Sequence, residues 1–325
     1  MVTELGKPIE IEGVFDLHFY TPLGGVIAHK LSATSITPNQ VSCASVVVAG
    51  AAAATYLIPT LAAAITAAIL LLASGILDSA DGQLARFTGR TSEFGETLDG
   101  FCDTLSFGLI YLAAAIGFVA HGGSAVLIAI MMVAAGWSHS VQSSLVDFER
   151  QAFVYIVTGA GRVQREDPAD LELARQRARI EGEHWWPRWL RAMHIVYCQR
   201  QRRWLSSTTA LLALYQGRLA DAPSDQRRWF AERYRAKTRL LLKNWAVLAP
   251  NSHTLGILLA GFAPFLCTGA MARWGLALVF LFDLSLNVPM LALILIQRRV
   301  DDGLVRALAD RFDDEGGLHA LGAAQ

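Results

Sequence analysis

Cysteine is scarce and scattered. The 325-residue chain holds four, at Cys43, Cys102, Cys198 and Cys267, with no C-x-x-C pair, so neither a zinc site nor a disulfide framework is suggested. Three of them fall in or beside apolar stretches, where an unpaired cysteine usually serves as a small core residue. The first residues, Met1 to Gly13, carry Glu4, Lys7, Glu10 and Glu12 and lack the apolar core of a signal peptide, so no cleaved targeting segment is expected. An excess of one charge is missing too, since 28 Lys and Arg balance 28 Asp and Glu. No internal repeat and no recognised nucleic-acid motif is visible.

What the chain has in abundance is apolar residues, at 53% of the total, too many for an ordinary soluble domain. They are segregated into blocks of spanning length. The pattern predicts an all-α integral membrane protein with six transmembrane helices, at about Val41–Ile58 (closed by Pro59), Thr60–Leu77, Thr104–Val119, Ser124–Trp137, Thr254–Ala272 and Trp274–Ile296. The first two are rich in alanine, which lets helices pack closely in lipid. Phe15 to Leu31 mixes apolar residues with His18, His29 and Lys30, as a juxtamembrane amphipathic helix lying along the membrane surface would.

Net neutrality hides a strong asymmetry. Between Arg150 and Lys243 stand nineteen Lys and Arg against nine Asp and Glu. Helical patterns cover about Pro168–Glu181, Arg188–Leu219 and Pro223–Trp245, with Trp185, Trp186, Trp189, Trp204 and Trp229 among the arginines. Arginine with aromatics suits nucleic acid, but in a membrane protein the mixture more often lies against anionic headgroups, and that reading, with no nucleic acid, is preferred. The organisation expected is residues 1–146 with spans 1 to 4, a basic cytoplasmic helical insertion at 147–245, spans 5 and 6 at 246–299, and a polar cytoplasmic tail at 300–325. Six spans put both termini on one side, and the positive-inside rule makes that side the cytoplasm, because the insertion, Arg86, Arg90, Arg298 and Arg299 fall there. The other face has essentially Arg273 and His121.

The chemistry concentrates between Asp78 and Asp103. Asp78 and Asp81 share one helix face, as do Asp99 and Asp103, because residues three or four apart line up. Two such pairs facing each other form an all-oxygen cage of the kind hard divalent cations prefer. Each Asp costs about 2.5 to 3.5 kcal/mol at a bilayer centre and less near the interface, so four together call for cations. Gly82 lets a ligand approach the backbone, Ala85 leaves room one turn on, and Arg86 offers a fork for phosphate. The plain alternative is a set of solvated charges in a connecting loop, which requires eight positions to coincide by accident.

Asp78, Asp81, Gly82, Ala85, Arg86, Gly95, Asp99 and Asp103 fit D-x2-D-G-x2-A-R-x8-G-x3-D-x3-D. In this pattern the chain resembles the CDP-alcohol phosphotransferases (CDP-alcohol phosphatidyltransferase class-I), membrane enzymes of phospholipid biosynthesis. The resemblance implies a metal-dependent transferase of substituted phosphate groups, in which an acceptor hydroxyl attacks the phosphorus of a CDP-linked donor and CMP leaves. It implies a pair of Mg2+ or Mn2+ ions on Asp78, Asp81, Asp99 and Asp103, with Asp103 also the catalytic base. It assigns Gly82, Ala85 and Arg86 to nucleotide and phosphate, and Ser92 to the donor. Thr37, Pro38 and Asn39 match an element at the edge of the nucleotide pocket, although a helix start alone would explain them.

The substrate stays open. CDP-diacylglycerol is the favoured donor, transferring phosphatidyl to an alcohol acceptor. Gly95 to Ser106 resembles the branch that uses CDP-choline or CDP-ethanolamine, whereas Thr37-Pro38-Asn39 and Ile76-Leu77-Asp78 resemble the branch that joins inositol phosphates. Membrane lipids are expected partners, and a homodimer is allowed. His139, Arg150, Lys243 and His253 are candidates for the acceptor pocket, or interfacial anchors. Asp283 and Asn287 are an intramembrane functional pair, or a hydrogen bond that fixes packing. From other classes, a divalent metal-ion transporter would use the acids as an ion site, and an inactive scaffold would use the basic insertion to recruit partners.

Overall fold

The computed structural model describes residues 9–159, 168–219, 222–266 and 270–313, and among them all regular structure is helical. Short polar residues set where the helices begin. Thr37 opens α2 (Pro38–Tyr56) with a reciprocal cap. Its hydroxyl accepts the Gln40 backbone N–H at 3.4 Å, and Gln40 Oε1 accepts the Thr37 N–H at 2.9 Å. Thr60 caps α3 (Leu61–Thr88), Ser92 caps α4 (Glu93–Ala120) and Ser124 caps α5 (Ala125–Thr158). Gly89 ends α3 in the left-handed region at φ +64°, which spares the chain a Cβ penalty and turns it sharply toward α4. Before them, α1 (Thr21–Ser32) packs on α3.

After α5 come α6 (Pro168–Ile180), α7 (Trp185–Trp204), α8 (Ser206–Leu219) and α9 (Ser224–Trp245), then α10 (Pro250–Leu266), α11 (Ala270–Ser285) and α12 (Asn287–Asp313). Among the described residues, five helical stretches are long and apolar enough to cross a membrane: Leu61–Thr88, Phe94–Ala120, Ala125–Thr158, Ser224–Leu266 and Trp274–Arg311. The expected first span, Val41–Ile58, falls on α2 and is not among them, because that helix is built largely of alanine, serine and other weakly apolar residues.

Other expectations are corrected in their bounds. The helices reach beyond the apolar spans: α3 carries Asp78 and Asp81 and continues to Thr88, and α4 begins at Glu93, so Asp99 and Asp103 lie in its first turns. The helix expected to end near Trp137 runs on to Thr158. Arg188–Leu219 is two helices, α7 and α8, parted at Leu205. The expected sixth span, Trp274–Ile296, is broken at Leu286: Pro289 has no N–H for the Ser285 carbonyl and its ring crowds that carbonyl. Residues 300–313 continue α12 and are not a free tail. Residues 314–325, Cys267 and the Arg273 side chain lie outside the described residues.

Two apolar cores result. One joins α2, α4, α5, α10 and α11 through small residues such as Ala52, Ala114, Ala135 and Ala260 around Ile110 and Phe280. The other is aromatic and packs the second half of α5 against α8, α9 and α12, with Phe153, Tyr215, Phe230, Tyr234, Trp245 and Leu308 all buried. The arginines of the basic segment also hold helices together. Arg200 donates to the carbonyl and hydroxyl of Ser140, both at 2.9 Å, and lies over the Trp137 ring at 5.3 Å. Burial pulls its pKa down. Arg235 pairs with Glu10 at 2.9 Å.

Asp301, read from sequence as part of a solvated tail, is fully buried. It accepts hydrogen bonds from Ser207 and Thr208, each at 2.8 Å, and from Gln297 Nε2 at 2.9 Å. Asp301→Ala would leave Ser207 and Gln297 Nε2 without this acceptor, while Thr208 keeps Glu149 Oε1 at 2.8 Å. The expected cost is about 3 kcal/mol or more, read as an earlier thermal unfolding midpoint in detergent; Asp302→Ala, at the exposed neighbouring position, should leave that midpoint nearly unchanged.

Candidate active site

The turn from Gly89 to Ser92 lays the start of α4 beside the end of α3. One oxygen from each of Asp78, Asp81 and Asp99 then lies within 4.8 Å of the others. Asp103, one turn beyond Asp99, lies close to Asp78. The four acids are therefore brought together as their spacing predicts. Asp81 is buried and the other three are partly buried. Asp78 Oδ1 is buried with no hydrogen-bond partner. An all-carboxylate donor set with an unsatisfied buried oxygen fits a hard divalent cation.

The flanking residues are close by. A Cβ at Gly82 would meet only Arg86 Nη1, at 3.5 Å, so the fold itself does not demand glycine there, and the space lies beneath an exposed guanidinium. Ala85 is half-buried one turn from Asp81. Ser92 Oγ accepts the Gly95 N–H at 3.0 Å as the α4 cap. A Cβ on Gly95 would come within 3.1 Å of Ser92 Oγ and 3.2 Å of Asn39 Oδ1. The start of α2 thus meets the start of α4. Thr37 spends its hydroxyl on the cap and Pro38 is buried at the first helical position, which leaves Asn39 as the member of the trio facing the motif.

Several neighbours were not foreseen. Ser42, buried on α2, donates to Asp81 Oδ2 at 2.5 Å. Tyr20, from a π-helical turn over Asp16–Tyr20, reaches the carboxylates, and burial together with Asp16 and Asp78 pushes its phenol up to about 12. Trp186 and Trp189 of α7 pack edge-on against Phe94 and Phe101 of α4, at 5.3 and 5.7 Å between centroids. The tryptophan-rich segment therefore borders the motif. The only signal for this was the aromatic residues on either side of Gly95 and Asp99.

Of the residues suggested for an acceptor pocket, none joins the carboxylates. Arg150 pairs with Asp16 at 3.7 Å and Lys243 is exposed. His139 and His253, read as boundary residues, are buried and stack on each other. Asp283 does not bond the Asn287 side chain; it takes hydrogen bonds from Tyr111 and His253, whereas Asn287 Oδ1 serves Ser138 and Gln142 at 2.8 and 3.1 Å.

Residues 35–161 match the family model for CDP-alcohol phosphatidyltransferase. The matched segment is less than half of the chain. It spans the capped start of α2, all four acids and the whole of α5. Among curated proteins the chain is similar to the archaetidylinositol phosphate synthase of Pyrococcus horikoshii, 35% identical over 91 residues, which is 28% of this chain and 47% of that one. It is also similar to the archaetidylinositol phosphate synthase of Aeropyrum pernix, 39% identical over 85 residues, which is 26% of this chain and 42% of that one. The chain thus spans a little under half the length of the curated relatives it matches. No solved structure matches.

Ser42 donates to Asp81, one of the carboxylates that would hold a divalent ion. Removing a hydrogen bond that orients a metal ligand typically weakens affinity about 10- to 100-fold. Ser42→Ala should therefore keep the fold, as circular dichroism will show, while raising the Mn2+ concentration for half-saturation by that factor in electron paramagnetic resonance.

Proposed function

We propose that this protein transfers a phosphatidyl-type group from a CDP-linked lipid to the hydroxyl of an inositol phosphate, releasing CMP. The observation that carries this reading is the convergence of Asp78, Asp81 and Asp99 beside Asp103 within the segment that matches the phosphatidyltransferase family model. The acceptor rests on the names of the two relatives and on Thr37-Pro38-Asn39, whose Asn39 faces Gly95.

Asp78, Asp81 and Asp99 would hold divalent metal, with Asp103 touching it. When bound, such an ion neutralises the diphosphate and stabilises the charge of the transferred phosphoryl group. Arg86 binds a phosphate oxygen through its fork, and Gly82 and Ala85 leave room for the nucleotide. Ser92 and Asn39 border the same space. Asp103 takes the acceptor's proton as its oxygen bonds to the lipid-bearing phosphorus and the bond to CMP breaks. In-line positioning carries much of the catalysis.

In the same reading, α2 completes the bundle as a sixth membrane-crossing helix, and residues 147–245 form a basic cytoplasmic unit resting on anionic headgroups, with no nucleic acid bound. The active site and both termini face the cytoplasm, where CDP-linked lipids are made. Residues 246–299 complete the transmembrane unit begun in residues 1–146.

The test uses purified protein in detergent with Mg2+ or Mn2+. It is offered CDP-diacylglycerol, its ether-linked archaeal counterpart, CDP-choline or CDP-ethanolamine, against inositol phosphate, glycerol phosphate, serine and diacylglycerol. CMP release with a CDP-linked lipid and inositol phosphate is the expected result. Release only with CDP-choline or CDP-ethanolamine moves the protein to the aminoalcohol branch, and no CMP from any pair, with Mn2+ flux once the protein is reconstituted in sealed vesicles, identifies a transporter. Asp103→Asn should lower turnover at least about 100-fold, and Asp78→Asn should raise the metal concentration required. Full activity in both variants overturns the assignment.

A further inference from the structure

Two buried acids away from the carboxylate cage have no part in the proposed transfer. Glu149 stands in the half of α5 that packs against α8, α9 and α12, and Asp301 belongs to α12; both are buried. The hydroxyl of Thr208, buried on α8, stands between them, 2.8 Å from Glu149 Oε1 and 2.8 Å from Asp301 Oδ2. Three helices therefore meet at one hydroxyl.

A threonine hydroxyl has a single proton to give and lone pairs with which to accept, so Thr208 donates to one of the two carboxyl oxygens and no more. With both acids ionised, the other contact would set lone pair against lone pair. Two negative charges would also remain in an apolar core, where no lysine or arginine among the described residues pairs with either. One proton on one acid removes both faults. That acid donates to Thr208, and Thr208 donates to the other.

The remaining donors decide which acid keeps the proton. Asp301 also accepts from Ser207 at 2.8 Å and from Gln297 Nε2 at 2.9 Å. Gln297 is held in that orientation, because the Trp245 indole, which only donates, lies 3.3 Å from its Oε1. Three donors on Asp301 favour its carboxylate form, whereas Glu149 has only the Thr208 contact among the described residues. The other titratable groups beside the pair are Tyr234, buried on α9, and Asp302, exposed on α12. Both can add only negative charge, so neither helps Glu149 to ionise.

We propose that Glu149 carries a proton in the folded protein, that it donates through Thr208 to an ionised Asp301, and that this relay is a pH-sensitive latch holding α8 and α12 on α5. Loss of the proton restores the two-charge state and opens the latch. Above about pH 5 a Glu149 exposed to water gives up its proton, whereas the closed form keeps it, so raising the pH favours the open form. The opening reaches the candidate active site through α7, which meets α8 at Leu205, is fastened to α5 by Gln201, and sets Trp186 and Trp189 against α4.

The experiment uses full-length protein in detergent and the variant Glu149→Gln, whose amide N–H takes the place of the acid O–H. Infrared difference spectra should show an un-ionised carboxylic acid band in wild type that the variant lacks, and alkaline titration should remove that band. Backbone hydrogen exchange, compared between the two proteins at the same pH, reads the latch itself. Before the band titrates, peptides from α8 and α12 should exchange alike in both. Beyond that point they should exchange faster in wild type, by about tenfold for each further pH unit, while peptides from α2 stay alike and Asp302→Asn follows wild type. A missing band difference, a band that survives to the highest pH at which the protein stays folded, or equal exchange at every pH overturns the proposal. So does a Glu149→Gln protein that does not fold, because the amide reproduces the protonated acid. Neither readout needs substrate or metal, so failure here is distinguishable from failure of the transferase reading.

Discussion

Three carboxylates with oxygens inside 4.8 Å of one another repel by about 1 kcal/mol per pair in water, and by several times that where the effective dielectric is lower. The surrounding fold has to hold them against that force. It does so by putting the acids on two helices joined by a short turn, by capping the second helix with Ser92, and by tying Asp81 to Ser42 on a third. The small residues of α2, with Ala49, Ala52 and Ala53 buried, let that third helix come close enough for the bond to form.

The rest of the chain stabilises this arrangement from below. The long reach of α5 past the apolar stretch gives α8, α9 and α12 a common surface, and the aromatic residues fill it. Arg200 and Gln201 fasten α7 to α5, the latter by donating to the Ser144 carbonyl at 2.8 Å. This leaves Trp186 and Trp189 against the two phenylalanines that bracket the motif. The basic segment is thus part of the walls of the site as well as a charged surface.

What was legible in the sequence follows from distance along the chain. Asp78, Asp81, Asp99 and Asp103 lie within one stretch, so helix periodicity puts each pair on one face, and the helix start at Thr37 announces itself through its cap; Ser92, the other cap, reads in the sequence only as a contact to the donor. Contacts between distant residues leave no such trace. Ser42 meets Asp81 across 39 positions and His253 meets Asp283 across 30, and in each case the partners look unremarkable where they stand. Asp301 stands beside Asp302 in a stretch expected to be a polar tail, whereas two of its three donors come from α8, more than ninety residues away. The apolar spans end at Leu77, Trp137 and Ile296 where hydropathy stops, but the helices run on because their backbone hydrogen bonding does not. The break at Leu286 was written in Pro289, but the apolar run around it hid the signal.

The turn at Gly89 has one more consequence. An α-helix advances about 100° per residue, so a single residue added to α4 ahead of Asp99 would swing both of its acids around the axis by more than a quarter turn. Angular phase therefore couples Asp99 and Asp103 to the acids of α3, and the helical length between Ser92 and Asp99 is as much a part of the site as the side chains themselves.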